Sequence, residues 1–330
     1  MAKSNRIKKG LTDQIVAGDV RAAARLMRGI VDDLPEALSE LRRLYPHTGK
    51  AHIIGVTGAP GVGKSTIVDA LITCFRQRQM TIGVVAIDPT SPFTGGALLG
   101  DRIRMGKHAT DKDVFIRSLA SRGWAGGLAR ATLSVVHVLD AMGKDIILVE
   151  AVGSGQGEVE ISRVADTTLV ILSPGMGDEI QMMKAGILET ADIFVINKAD
   201  RPGAENLRVQ LGQMLEMQAL KEGCWKPPVL LSQAVNGKGT DEVAAAVLRH
   251  REHLFSSGEI HRRRHERAKL ELAEAIEHAL RERVSRILGD AGMEKLADEL
   301  ASKVTDPYSI AEDLVRKSVG RPQKAAVRRS

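Results

Sequence analysis

Between residue 50 and about residue 248, short apolar runs alternate with longer stretches of helical periodicity. The runs fall at 52–57, 81–87, 114–118, 145–150, 168–173, 193–197 and 229–232. Strands alternating with helical segments predict an α/β domain built on a doubly wound, mostly parallel sheet. The ends of the chain follow a different rhythm. Asp19 is placed to cap a helix carrying Leu26 and Ile30, and Pro35 to open another carrying Leu38, Leu41 and Leu44, with Pro46 ending it. Near the other end Leu272, Ile276, Leu280, Val284 and Leu288 recur every four residues, and Gly289 stops the run. That spacing predicts one long helix with a single apolar stripe, followed by shorter helices around Pro307. The expected division is 1–48, 49–255 and 256–330.

Composition narrows the class. Hydrophobic residues make up 43% of the 330 and aromatic residues only 3%, a mix suited to parallel sheets and helices. The formal net charge of +6 is local, concentrated in the first ten residues, in 261–269 and in 316–329. No aromatic stacking platform accompanies these clusters, so they read as solvated faces and tails rather than a nucleic-acid site. The two cysteines, Cys74 and Cys224, stand far apart, which suits a reducing compartment. The N-terminus has no apolar core of a secretory signal, and no run approaches the roughly 20 apolar residues of a membrane span. A cytoplasmic protein without membrane or nucleic-acid partners is the expectation.

The chemistry enters at Gly58-Ala59-Pro60-Gly61-Val62-Gly63-Lys64-Ser65, a complete G-x-x-x-x-G-K-[ST] motif. An apolar run precedes it and a helical pattern follows, which distinguishes it from a chance glycine-rich turn. The glycines let backbone N–H groups curl around phosphate oxygens, and the helix that starts there turns its positive end to the anion. Lys64 is placed for the β- and γ-phosphates, Ser65 for Mg²⁺ and Thr66 for the α-phosphate. The run 145–150 ends in Glu150, with Gly153 three residues on. This spacing resembles the Walker B and switch II pattern of GTPases, with Glu where Asp is commoner. Glu150 would bind Mg²⁺ directly or through water, against the plainer reading of a surface acid at a strand end. The Gly153 N–H could contact the γ-phosphate.

Asn197-Lys198-Ala199-Asp200 follows another apolar run and fits N-K-x-D. The Asp200 carboxylate can accept from guanine N1–H and N2–H₂, whereas adenine would leave it unpaired. The Lys198 stem can cover the base, and Asn197 can tie this loop to the phosphate loop. Ser232-Gln233-Ala234 lies where a backbone contact to guanine O6 is expected. GTP and GDP with Mg²⁺ are therefore the expected ligands. Asp88 and Asp101, in the glycine-rich segment after the second run, could each complete the Mg²⁺ shell or orient the attacking water, against the plainer reading of an Asp-Pro turn.

Asp88-Pro89-Thr90-Ser91-Pro92 with Gly95-Gly96-Ala97-Leu98-Leu99-Gly100-Asp101-Arg102 resembles the MeaB/ArgK GTPases, whose human counterpart is the methylmalonic aciduria type A protein. Phe115-Ile116-Arg117-Ser118, Pro174-Gly175-Met176-Gly177-Asp178 and the segment from Ala191 to Asp200 agree. Switch II departs from the family pattern at Ala151, Ser154 and Gly157. The resemblance implies a GTP-hydrolysing chaperone that gates cofactor loading of an adenosylcobalamin-dependent acyl-CoA mutase and protects it. It implies a homodimer formed through a C-terminal helical arm, no cobalamin held by this chain, and slow turnover stimulated by the partner. It also implies a third switch at about 177–185, in which Lys184 would stabilise the transition state.

Other classes compete. A nickel metallochaperone GTPase wants a Cys/His pair near a switch, a targeting GTPase wants a methionine-rich domain, and a kinase acting on transport proteins wants an acceptor site. None of these shows in the sequence. His261 and His265 stand four apart but among Arg262, Arg263 and Arg264, so a solvated helix face is favoured over a metal site. Trp124 and Trp225 read as packing residues.

Overall fold

The structure, a computed structural model, describes residues 10–88, 106–108, 110–120, 127–151, 157–175, 187–217 and 223–318. The chain forms two compact units that divide between Arg267 and Ala268.

The first unit opens with helices α1 (Leu11–Val16), α2 (Val20–Val31) and α3 (Pro35–Leu44). Asp19 caps α2 as its position predicts, its Oδ1 accepting from Arg21 N at 2.8 Å and Ala22 N at 2.9 Å. Pro35 takes the first position of α3, where a missing N–H costs nothing. α3 stops at Leu44, just before Pro46 as the sequence predicts, and Pro46 sits inside the tighter turn Tyr45–His47, which tolerates it near its start.

Seven strands follow: β1 (His52–Thr57), β2 (Ile82–Asp88), β3 (Val114–Ala120), β4 (Ile146–Glu150), β5 (Thr167–Leu172), β6 (Ile193–Ile196) and β7 (Val229–Leu231). They pair parallel in the order β3-β2-β4-β1-β5-β6-β7. Each lies within two residues of its expected span. Strands β1, β4 and β5 are buried along their whole length, so both faces must be apolar. Full burial of each Val, Ile or Leu contributes about 1.5–3 kcal/mol, which holds the register against a slip.

Helices cover both faces. α4 (Lys64–Gln77) and α9 (Thr240–Ser256) close one, with Ile67, Leu71, Val243 and Val247 in a common cluster with Ile54, Val56 and Leu148. The other face carries α1–α3, α5 (Gly127–Ala141) and α6 (Gly157–Val164), where Leu26, Met27 and Ile30 join Leu133, Val136 and Val149. Two further helices are α7 (Ile187–Thr190) and α8 (Ala204–Glu216); Leu207 and Leu211 of α8 pack on Val170, Phe194 and Ile196. β1 lies between β4 and β5, where the sheet order reverses. A ligand crevice forms at such a point, beyond the carboxyl ends of the strands.

Helix α10 (Glu259–Ala301) runs into the second unit, and α11 (Pro307–Ser318) ends the described chain. Gly289, with φ 58° and ψ 174°, interrupts α10 where the sequence predicts a stop. Leu272 and Ile276 of the apolar stripe remain more than half exposed. Asp306 caps α11 through Tyr308 N and Ser309 N. No helix among the described residues is long and apolar enough to cross a membrane.

The segment 261–269 departs from expectation in part. His261, Arg262 and His265 are exposed, as a solvated face requires, but Arg263, Arg264 and Arg267, at the end of the first unit, turn inward and bond to buried acids and carbonyls at the strand starts.

Candidate nucleotide site

β1 delivers the chain into the glycine-rich loop, and α4 begins at Lys64 directly after it. Two glycines make the turn possible. A Cβ on Gly58 (φ 140°) would lie closer than 3.0 Å to the Ile171 carbonyl, and one on Gly63 (φ 98°) closer than 3.0 Å to Asn197 Nδ2. No side chain caps the first turn of α4, which leaves its N–H groups directed out of the helix end. Lys64, only 9% exposed, folds back so that Nζ donates to the carbonyls of Gly58 at 2.9 Å and Ala59 at 3.1 Å. Ala59, Pro60 and Gly61 form the rim of the loop, and Val62 is buried beneath it.

One residue into α4, Ser65 Oγ donates to Glu150 Oε1 at 2.6 Å. Both are buried, and they come from elements 85 positions apart in sequence. The parallel pairing of β1 with β4, with Val56 opposite Glu150, produces this meeting. A hydroxyl and a carboxylate side by side are hard oxygen donors of the kind Mg²⁺ takes, and the uncapped helix end beside them suits phosphate. The residues present therefore fit a magnesium nucleotide.

Asn197, at the end of β6, joins the phosphate loop to the base-recognition loop. Its Nδ2 donates to Val62 O at 2.9 Å, and its Oδ1 accepts from Ala234 N at 3.2 Å. Lys198, with φ 55°, crosses the same gap to donate from Nζ to Gly61 O at 2.6 Å. Ala199 N donates to Ser232 O at 3.0 Å, which leaves the Asp200 side exposed beside these loops. Ser232 Oγ donates to Lys238 O, and Gln233 N to the same carbonyl at 2.9 Å. The N–H groups of Gln233 and Ala234 are thus engaged within the protein.

The fold gathers Gly58–Thr66, Glu150, 197–200 and 232–234 at one edge of the sheet. Asp88 closes β2 at the same edge; nothing further is described of its side chain. Asp101, Gly153 and Lys184 lie outside the described residues. Trp225 packs as expected, its ring centroid 4.7 Å from that of His250, with Nε1 donating to Asp192 O at 2.8 Å.

The sequence reading missed a group at the opposite edge: Asp166, Asp192, His52 and His250, buried where strands begin. A signal was present, since Ala-Asp stands directly before two of the apolar runs, at 165–166 and 191–192. So did Arg263 and Arg267, four apart and hence on one helix face.

The methylmalonyl-CoA mutase-associated GTPase MeaB family model matches residues 24–287. A protein of Pyrococcus abyssi named as a GTPase is 45% identical over 312 residues, spanning 94% of this chain and 96% of its own. The mitochondrial methylmalonic aciduria type A homolog of Caenorhabditis elegans is 31% identical over 297 residues, spanning 87% and 74%. The crystal structure of a LAO/AO transport system kinase shares the fold, with a TM-score of 0.68 at 22% identity over 96% of this chain and 99% of that one. The match of sequence, sheet order and phosphate-loop geometry leads to one conclusion: the chain belongs to the MeaB family of P-loop GTPases.

Proposed function

We propose that this protein binds GTP and GDP with Mg²⁺ at the β1–α4 edge, hydrolyses GTP slowly, and uses that cycle as a chaperone of an adenosylcobalamin-dependent acyl-CoA mutase. The observation that carries the nucleotide assignment is the Asn197 bridge. One side chain holds Val62 of the phosphate loop and Ala234 of the base loop together, so the two recognition elements share one geometry. The mutase assignment is supported by the family model's own description and by the name of the C. elegans relative.

Each residue has a part in this reading. Lys64 exchanges its two loop carbonyls for phosphate oxygens, and the amides from Gly58 to Thr66 bind the remaining phosphate charge. Ser65 and Glu150 hold the metal, with Asp88 and Asp101 completing its shell or orienting water. Bound Mg²⁺ supplies positive charge to the phosphate oxygens. Gly153 senses the γ-phosphate, and Lys184 offsets charge that develops as water attacks phosphorus and the bond to GDP breaks. Asp200 reads the guanine edge, with Lys198 over the base. Ser232-Gln233-Ala234 lines the guanine O6 side of the site and positions Asn197 and Ala199. Residues 1–48 form a helical extension, 49–255 the nucleotide domain and 256–330 a dimerisation arm. Cobalamin stays with the mutase, and the complex is cytoplasmic.

The decisive experiment is Asp200→Asn with GTP, XTP and ATP measured by calorimetry. Loss of a two-point contact to a carboxylate costs about 2–4 kcal/mol, so GTP affinity drops roughly 30- to 1,000-fold while XTP binding improves. Equal GTP affinity in parent and variant, or a parent that prefers ATP, overturns the assignment.

A further inference from the structure

At the strand starts, away from the nucleotide edge, a buried polar chain runs through Asp166, His52, Thr167, His250 and Asp192. None is more than 5% exposed. Thr167 Oγ1 lies 2.8 Å from His52 Nε2 and 2.8 Å from His250 Nδ1. The outer ring nitrogens face carboxylates. His250 Nε2 is 3.3 Å from Asp192 Oδ1, and His52 Nδ1 is 3.8 Å from Asp166 Oδ2.

Two neutral imidazoles and one hydroxyl carry three protons for these four contacts. Neither outer nitrogen makes a hydrogen bond: His52 Nδ1 stands 3.8 Å from Asp166, and His250 Nε2, at 3.3 Å from Asp192, has no hydrogen-bond partner among the described residues either. The Thr167 hydroxyl donates to one ring and accepts from the other. When it accepts from His52 Nε2, the lone pair of His52 Nδ1 faces Asp166 and is open to a proton.

Arginines from the first turns of α10 supply the missing charge. Arg263 grips Asp192 through two nitrogens at 2.7 and 2.8 Å. Arg267 donates to Asp166 Oδ1 at 3.0 Å, and Arg264 stands 3.9 Å from the other oxygen. Arg263 also bonds to the Asp166 carbonyl, and Arg267 to that of Val164.

We propose that Arg267 and a proton on His52 Nδ1 are competing counter-charges for Asp166, so that seating the first turns of α10 on the strand starts is linked to proton release. The proton moves between solvent and Nδ1, and no other bond changes. His52 is faced by Asp166, His250, Arg251 and Arg264, and His250 by Asp192, Arg263, His253 and Glu259. Burial first, and then the cations, lower both imidazoles from 6.5 to about 4 against the pull of the aspartates. With the arginines seated the pair is neutral, and acid favours their release. By reciprocity, a cation that lowers proton affinity tenfold is itself held tenfold less well by the protonated chain.

Histidine-ring NMR on the full chain tests this, with signals assigned by His52→Gln and His250→Gln. The expected parent spectrum shows His52 neutral at pH 7, protonated on Nε2, with a midpoint near 4. Arg267→Gln raises His52 proton affinity at least tenfold, and Arg267→Lys leaves it within about threefold of the parent. Arg264→Gln, which removes the cation beside the Asp166 oxygen that faces His52, moves the midpoint in the same direction and serves if Arg267→Gln does not fold. A parent His52 protonated on Nδ1 at pH 7, or an unchanged midpoint in the neutral variants, overturns the proposal.

Discussion

Gly63→Ala is the sharpest probe of the site, because a second glycine supplies its control. Gly63 and Gly203 both precede helices with left-handed backbone, φ 98° and 92°. An alanine at either position carries conformational strain of about 1–2 kcal/mol. Their surroundings differ. The nearest atom to a Cβ on Gly203 is Pro174 Cβ at 3.9 Å, whereas one on Gly63 displaces Asn197 Nδ2. Moving Asn197 breaks its bond to Val62 O and strains the one from Ala234 N. Leaving these buried groups without a partner costs about 1–3 kcal/mol more. Urea denaturation should therefore place Gly203→Ala about 1–2 kcal/mol below the parent and Gly63→Ala about 2–5 kcal/mol below it. Fluorescent-GTP titration should show at least a tenfold loss of affinity for Gly63→Ala alone. Equal destabilisation of the two variants, with unchanged GTP affinity in both, would refute the view that Asn197 rigidly couples the two loops.

Lys64→Ala removes the one buried ammonium of the phosphate loop; single-turnover assays should show hydrolysis lost and nucleotide affinity sharply reduced. Stability should depend on pH through His52 and His250, both held near 4 in the folded chain chiefly by burial. Unfolding restores an ordinary value of about 6.5, so the unfolded state binds more protons below that point. Stability is then undiminished above about pH 6.5 and falls toward pH 4, by about 2 kcal/mol per imidazole between pH 7 and pH 5. Thermal melts across that range check it, and a His52→Gln, His250→Gln double variant with the same pH slope contradicts it. Recovery of a cobalamin-dependent acyl-CoA mutase on immobilised protein should depend on the nucleotide supplied, GDP against a non-hydrolysable GTP analogue. Retention that is absent with both, using purified mutase, counts against the chaperone reading.

The sequence alone carried the sheet and the phosphate loop because both are written in local chemistry. Runs such as Ile53-Ile54-Gly55-Val56 satisfy a strand buried on both faces, and Gly63-Lys64-Ser65 encodes a turn whose backbone demands few other residues. Asp19, Pro35 and Gly289 likewise mark helix ends from their own side chains or lack of one. What local pattern could not supply was pairing across the sheet. That Ser65 meets Glu150 depends on β1 lying beside β4, and that Asn197 reaches both Val62 and Ala234 depends on β6 ending level with the phosphate loop. The arginines of 261–269 show the same limit most clearly. A charge cluster on a helix is ordinarily solvated, and only the burial of Asp166 and Asp192 at neighbouring strand starts draws Arg263 and Arg267 inward. Charged groups leave water only for partners, and which partners stand close enough is a property of the packed fold.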